Sequence, residues 1–323
     1  MQAAARARSN IALVKYWGKA DASLNVPAVG SISITLDALW SDTELEFDAA
    51  LDTDRLLLDG HERPEQLARV SACLDILRRM ADVDTPALVR SQNNFPTAAG
   101  LASSASGFAA LVAAGTDALN LGLSPRDLSI VARRGSGSAA RSIFGGFVEM
   151  HAGHAEDGRD SFAEPLMAAE DWPLEVVVAV TASGEKKVSS GSGMMRSAQS
   201  SAYYPAWVQS HPADLERARE ALRTRDFAKL AEVSEHSCLK MHAAAMAAQP
   251  ALIYWNGVTM ICLELIAAMR ATGVPVFFTV DAGPQVKAVC EPSATLEVQQ
   301  ALCEVPGVLK VLVSRLGRGV ETR

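Results

Sequence analysis

The sequence predicts an α+β chain of two lobes, and three observations carry that prediction. Its 323 residues, 49% of them hydrophobic, exceed what one core of ordinary size organises, so two lobes with a cleft between them are expected. Apolar residues alternate with period two in some stretches and recur every three or four residues in others. These patterns succeed one another without the strict strand–helix–strand rhythm of a doubly wound sheet, which favours α+β.

Taken in order, Ser31-Ile32-Ser33-Ile34-Thr35-Leu36 and Thr43-Glu44-Leu45-Glu46-Phe47 alternate as two half-buried strands of an antiparallel sheet. Leu67, Val70, Leu74 and Leu77 then form one stripe of an amphipathic helix over 64–81. The Ala-rich run Leu101 to Leu121 reads as a buried helix. Ser124 with Pro125 starts another, and Gly135 stops it. A strand near 146–151 and an acidic polar stretch over 154–171 precede the apolar run Leu174 to Val180, which places the lobe boundary near residue 172 and divides the chain into 1–172 and 173–323. Lys186 to Met194 reads, on its residues alone, as a flexible Gly/Ser linker, while helices are expected at 212–223, 226–245, 256–272 and 293–303, and strands at 274–281 and 309–314.

Composition excludes several functions. A net charge of −7 argues against coating nucleic acid or an anionic membrane, so any anionic ligand needs a local cluster of cations. The five cysteines are odd in number and sit in apolar patterns, which suggests neither a disulfide framework nor a zinc site and fits a reducing cytoplasm. Met1 to Ser9 lacks the apolar core of a signal peptide, and no apolar run approaches a membrane span, so a soluble, unprocessed chain is expected.

The segment Asn94-Phe95-Pro96-Thr97-Ala98-Ala99-Gly100-Leu101-Ala102-Ser103-Ser104-Ala105-Ser106-Gly107 carries the most chemistry. A loop of small residues feeds a helix start, so backbone N–H groups, hydroxyls and the positive helix end converge where a polyphosphate would be stabilised. A single serine there would be an ordinary cap, but four hydroxyl residues with Gly100 exceed what a cap needs. No Walker A pattern occurs. Gly135, Gly137 and Ala140 satisfy a dinucleotide fingerprint, but a capped helix precedes them where a strand is required.

Taken together, these motifs resemble those of the diphosphomevalonate decarboxylase family of the GHMP kinase superfamily. The phosphate loop is similar to the family's P-x-x-x-G-L-x-S-S-A loop. Asn10-Ile11-Ala12-Leu13-Val14-Lys15-Tyr16-Trp17-Gly18-Lys19, the run Gly135 to Phe147, Val280-Asp281-Ala282-Gly283-Pro284 and the Ser189-Ser190 segment match its further motifs, in the family's order. The resemblance implies a two-lobed GHMP kinase fold, with an N-terminal lobe like domain 2 of ribosomal protein S5 and a ferredoxin-like C-terminal lobe. It implies ATP-dependent decarboxylation of mevalonate 5-diphosphate to isopentenyl diphosphate through phosphorylation of the C3 hydroxyl, with ATP and Mg²⁺, in a homodimer. A decarboxylase of the monophosphate, a 3-kinase and a catalytically silent nucleotide-binding protein are the rival readings.

By residue, the resemblance implies catalytic roles for Asp281, Arg141 and Lys15. Tyr16, Lys19, Ser136, Gly137, Ser138, Arg141, Lys186, Lys187, Ser189 and Ser190 are implied at the substrate. For ATP it implies Pro96, Ala98, Ala99, Gly100, Leu101, Ala102, Ser103, Ser104 and Ser106, with Ser104 also at the metal. His242 reads as structural. Two positions depart from the pattern: Gly191, where some bacterial relatives carry arginine, and Val29, where relatives often carry asparagine.

Overall fold

The computed structural model describes residues 1–95, 103–184 and 187–323. The first lobe runs through strands β1 (Gln2–Val14), β2 (Lys19–Asp21), β3 (Val26–Pro27), β4 (Ser31–Phe47), β5 (Arg55–Leu58) and β6 (His61–Glu62). Helix α1 (Pro64–Ala81), strand β7 (Ala87–Asn93), helices α2 (Ser103–Ala118) and α3 (Pro125–Gly135), a 3-10 turn over Gly137–Ile143 and strands β8 (Phe147–Met150) and β9 (Ala163–Met167) complete it. The second lobe comprises β10 (Glu175–Val180), helices α4 (Ser190–Ser200), α5 (Tyr204–Thr224), α6 (Phe227–Met246) and α7 (Gly257–Ala271), strands β11 (Val276–Val280) and β12 (Val286–Cys290), helix α8 (Thr295–Cys303) and strand β13 (Lys310–Arg315). A final strand, β14 (Glu321–Thr322), returns to pair with β1 in the first lobe's sheet.

The two alternating runs expected as separate strands are one strand, β4, paired with β1 on both sides of an interruption. Leu36 to Leu39 bulge opposite Ser9, and the Asn94 side chain closes the bulge by accepting from Trp40 N at 2.8 Å and donating to the Ala38 carbonyl at 2.8 Å. Beyond the bulge β4 changes its other neighbour, from β8 at residues 31–34 to β7 at residues 41–47. A second register shift lies between Ala12 and Val14, just before Lys15. Bulges re-aim the side chains beside them, and both shifts flank site residues.

The second lobe's sheet has the order β11-β12-β10-β13, antiparallel throughout. In β10 the faces alternate: Val177 and Ala179 pack under α7 and α8, while Val176 and Val178 join Ile11, Leu13, Ile32 and Ile34 of the first lobe together with Leu215 of α5 and Leu230 of α6. A strand covered on both faces reads as a continuous apolar run, which is the pattern seen at 174–180. The lobes therefore share one core. A large apolar interface of this kind opposes the hinge motion otherwise expected between lobes.

Two further expectations change. The Gly/Ser-rich segment after Lys187, expected as a flexible linker, is helix α4: Ser189 caps it by accepting from Ser192 N at 3.1 Å, and Met194 packs with Trp17 and Trp207. Helix α5 begins at Tyr204 instead of 212, because Pro212 lies within the helix and does not open it.

Candidate active site

Lys15 leaves the end of β1 and is 1% exposed, its ammonium donating to the Ala12 carbonyl at 2.9 Å and to Asp281 Oδ1 at 2.7 Å. Asp281 immediately follows β11, where the Gly283 N–H turns back onto its carbonyl at 2.7 Å. A second ammonium, Lys287 of β12, lies 3.3 Å from Oδ2 and is equally buried. Burial alone would raise the Asp281 pKa, but the two lysines outweigh it and hold the carboxyl well below the usual carboxylate range. Its side chain keeps 26% exposure, on the cavity side.

Arg141 in the 3-10 turn is 3% exposed and has neutral hydrogen-bond partners. Nε and Nη2 donate to Asn10 Oδ1 at 3.1 and 2.9 Å, and Nη1 donates to Ser31 Oγ at 2.8 Å. Asn10 is fixed in turn by donating to the Ser138 carbonyl at 3.0 Å and to Ser142 Oγ at 2.8 Å. Burial pushes the guanidinium down to about 10, partly offset by Asp281, so it stays charged at neutral pH. A buried arginine held by amide and hydroxyl is oriented without being neutralised, and so remains available to an incoming anion.

The Tyr16 hydroxyl is buried with no partner among the described residues, and burial pushes the phenol up to about 12. It sits over Gly137, where a Cβ would lie 2.3 Å from the oxygen, so only glycine fits there. Ser136 connects this turn to the start of α2 through Ser104 at 3.5 Å and to Ser138 at 3.4 Å. Lys19 is half-buried and bonds Asn25.

Lys15, Arg141 and Asp281 line one cavity of about 850 Å³ together with Tyr16, Lys19, Ser136, Gly137, Ser138, Ser103, Ser104, Ser189 and Ser190. Ser189 is also the cap of α4. Two residues of the expected set stand apart. Ser106 is fully buried and its hydroxyl lies 2.7 Å from Ser41 Oγ and 3.3 Å from Ser9 Oγ, so it faces the sheet instead of the cavity. Lys187 is exposed and outside the cavity wall. Pro96, Ala98, Ala99, Gly100, Leu101, Ala102 and Lys186 lie outside the described residues.

Sequence reasoning missed Lys287, whose signal was a lone charge in the apolar run Val286-Lys287-Ala288-Val289-Cys290. It also missed Arg69, which bonds the Gly135 carbonyl at 2.8 Å and stacks over Phe108 on the cavity wall. An apolar wing of Leu56, Leu58, Val70, Val89, Phe108 and Leu111 lines the cavity beside Ser103.

Both halves of the chain match known proteins. Residues 7–163 match the diphosphomevalonate decarboxylase-like N-terminal domain, and residues 176–311 match the mevalonate 5-diphosphate decarboxylase C-terminal domain. A diphosphomevalonate decarboxylase of Aspergillus fumigatus is 40% identical over 295 residues, covering 85% of this chain and 73% of that one. The structure of MDDEF in complex with MVAPP, AMPPCP and magnesium superposes with a TM-score of 0.93 at 41% identity, covering 100% of this chain and 99% of that one. Mevalonate diphosphate decarboxylase from Staphylococcus aureus gives 0.94 at 38% identity, covering 100% and 98%. Matched in both halves and along nearly its whole length, the chain belongs to the diphosphomevalonate decarboxylase family.

Proposed function

We propose that Asp281, Lys15, Lys287 and Arg141 form the reaction centre for the ATP-dependent decarboxylation of mevalonate 5-diphosphate to isopentenyl diphosphate, CO₂, ADP and phosphate. The tertiary C3 hydroxyl is a poor leaving group and is phosphorylated first. Asp281 accepts the hydrogen bond of that hydroxyl and aims its oxygen at the terminal phosphoryl group. A carboxylate held so far below neutral pH by two ammonium groups is a weak base, so orientation and charge are its main contributions. That suits phosphoryl transfer, in which the loose transition state needs little proton removal at the start. As phosphate departs, positive character grows at C3 and the same fixed carboxylate stabilises it.

Arg141 grips the substrate carboxylate and sets the angle at which the C–C bond breaks. The Tyr16 hydroxyl, with Lys19, Ser136, Gly137, Ser138, Ser189 and Ser190, faces the diphosphate end. Ser103, Ser104 and the start of α2 face the ATP phosphates, and the apolar wing from Leu56 to Leu111 takes the nucleobase. Among the described residues no three His, Cys, Asp or Glu side chains converge as a metal cage. The donor set suits magnesium held chiefly by nucleotide phosphates, with the exposed Ser104 hydroxyl as a hard oxygen ligand. When bound, the ion offsets charge on the transferring phosphoryl group. The resemblance further supports a homodimer, and five free cysteines support a reducing, cytoplasmic setting; light scattering of the purified chain decides the former.

The observation that carries this reading is the triad Lys15–Asp281–Lys287, buried behind and open to the cavity in front. Asp281→Asn is expected to lower kcat at least ~100-fold with the fold intact, measured as CO₂ and ADP release from ATP–Mg²⁺ and mevalonate 5-diphosphate. Near-normal turnover in that variant defeats the assignment.

A further inference from the structure

We infer that two adjacent residues of α6, Ser237 and Cys238, are positioning residues that set the distance between Lys15 and Asp281. The Ser237 hydroxyl accepts from the Lys15 backbone N–H at 3.0 Å. The Cys238 sulfur accepts from the Val280 N–H at 3.2 Å and donates to the Val280 carbonyl at 3.5 Å, gripping the residue just before Asp281. Both side chains are 0% exposed, so neither bond has water as a substitute. One residue step of a rigid helix thus pins the backbones of two groups that lie 266 positions apart in the chain.

The surrounding contacts support the same reading. Thr279 Oγ1 donates to the Ala12 carbonyl at 3.1 Å, the oxygen that Lys15 also uses, so the two strands meet directly beneath the ion pair. Glu235, earlier in the helix, accepts from Phe278 N at 3.0 Å. His242 Nε2 lies 3.1 Å from the Val280 carbonyl and 3.1 Å from Trp255 Nε1. One nitrogen serves one of these at a time, which leaves the sulfur as the contact that engages both backbone groups of Val280. Burial pushes the Cys238 thiol up, so it acts as an inert donor and acceptor and not as a nucleophile.

The inference rests on the reading of Lys15 and Asp281 as the reaction centre, and the test separates the two. Ser237→Ala, Cys238→Ala and Cys238→Ser are assayed in the full chain beside Asp281→Asn, with ATP–Mg²⁺ and mevalonate 5-diphosphate. Misplacing an aligned group lowers turnover without loosening substrate, so both alanine variants are expected to lose kcat about 10-fold with each KM within about twofold. Cys238→Ser keeps a donor and an acceptor at the same point and is expected to recover to within about threefold of the parent.

The groups facing Asp281 are Lys15 from β1, Lys287 from β12, Arg141 from the 3-10 turn, and Cys238 and His242 from α6. Letting Lys15 drift weakens its hold on the carboxylate, so the acid limb of kcat is expected to move to higher pH in both alanine variants. Should the cavity left in Cys238→Ala unfold the chain, Cys238→Val, larger than cysteine by about one methyl group, fills it and removes both bonds. Parental kcat in Ser237→Ala and in Cys238→Ala or Cys238→Val, with Asp281→Asn inactive, overturns the positioning role alone. An active Asp281→Asn overturns the reaction centre itself.

Discussion

The proposed reaction centre and the start of α4 line one cavity, yet they are held by different means. At the centre, Lys15, Lys287 and Arg141 are 1%, 1% and 3% exposed; Lys15 and Arg141 are each tied to partners from two segments, and Lys287 pairs with Asp281. At the start of α4, Ser189 and Ser192 are exposed and bonded to each other, and the segment docks mainly where Gly193 and Met194 meet Trp17 and Tyr254. On the proposed assignment, the groups that act on the transferring phosphoryl are built in before substrate arrives, whereas the segment assigned to the phosphorylated end is held locally. Because the lobes share one core, rotation of one lobe against the other is opposed.

The comparison breaks most readily at Arg141. Arg141→Gln removes the charge and keeps much of the reach to Asn10 and Ser31, and kcat is expected to fall about 100-fold or more. Single-turnover CO₂ release in this variant should slow by the same factor, and an effect confined to KM would mean that Arg141 binds without orienting.

Lys287→Met is expected to come next, with a kcat loss of about 30-fold, because Lys15 remains as counter-charge and only one of the two cations is lost. The sign of its pH effect is fixed. Lys15 and Lys287 lower the folded-state pKa of Asp281, and removing one lets burial raise it again, so activity lost on acidification is lost at a higher pH than in the parent. Unchanged acid limbs in Lys287→Met would separate Lys287 from the carboxylate.

How legible this site is in the sequence depends on whether each residue's setting is local. Lys15, Arg141 and Asp281 each end or interrupt a recognisable run, and their motifs point to one cleft, where the structure brings their side chains together. Lys287 belongs to the same cluster but sits inside an apolar strand. Its role depends on β11 lying alongside, which no local pattern encodes. The start of α4 was misread for an energetic reason: Gly and Ser are poor helix formers, and the cap at Ser189 with the docking of Met194 offsets that weakness. The bulge in β4 imitates a loop, and Glu321-Thr322 is too short to announce a strand that crosses back to β1. The fold class came through because burial patterns are repeated along many residues, while Ser237 and Cys238 act through single contacts made at a distance.

At the docking point of α4, a Cβ on Gly193 would lie 2.2 Å from the Tyr254 hydroxyl and 3.0 Å from the buried Trp17 ring. Overpacking at such a contact costs about 1–3 kcal/mol, so Gly193→Ala is expected to raise KM for mevalonate 5-diphosphate about 10-fold while kcat falls less than threefold. Equal losses in both constants would show that α4 also aligns the reacting groups, and the contrast between the two walls would weaken.

The smallest expected effect is at Ser189, and it discriminates between two uses of one hydroxyl. As an N-cap it accepts from Ser192 N at 3.1 Å, and losing a cap costs about 1 kcal/mol, so Ser189→Ala should raise KM about fivefold at most. Thr caps nearly as well, so Ser189→Thr should stay close to the parent if capping is the whole role. Asp also caps well but brings a negative charge toward the phosphorylated end of the substrate. A larger KM for Ser189→Asp than for Ser189→Ala therefore places this residue beside the diphosphate, while recovery in Ser189→Asp reduces it to a helix cap and moves the anion contact elsewhere on the cavity wall.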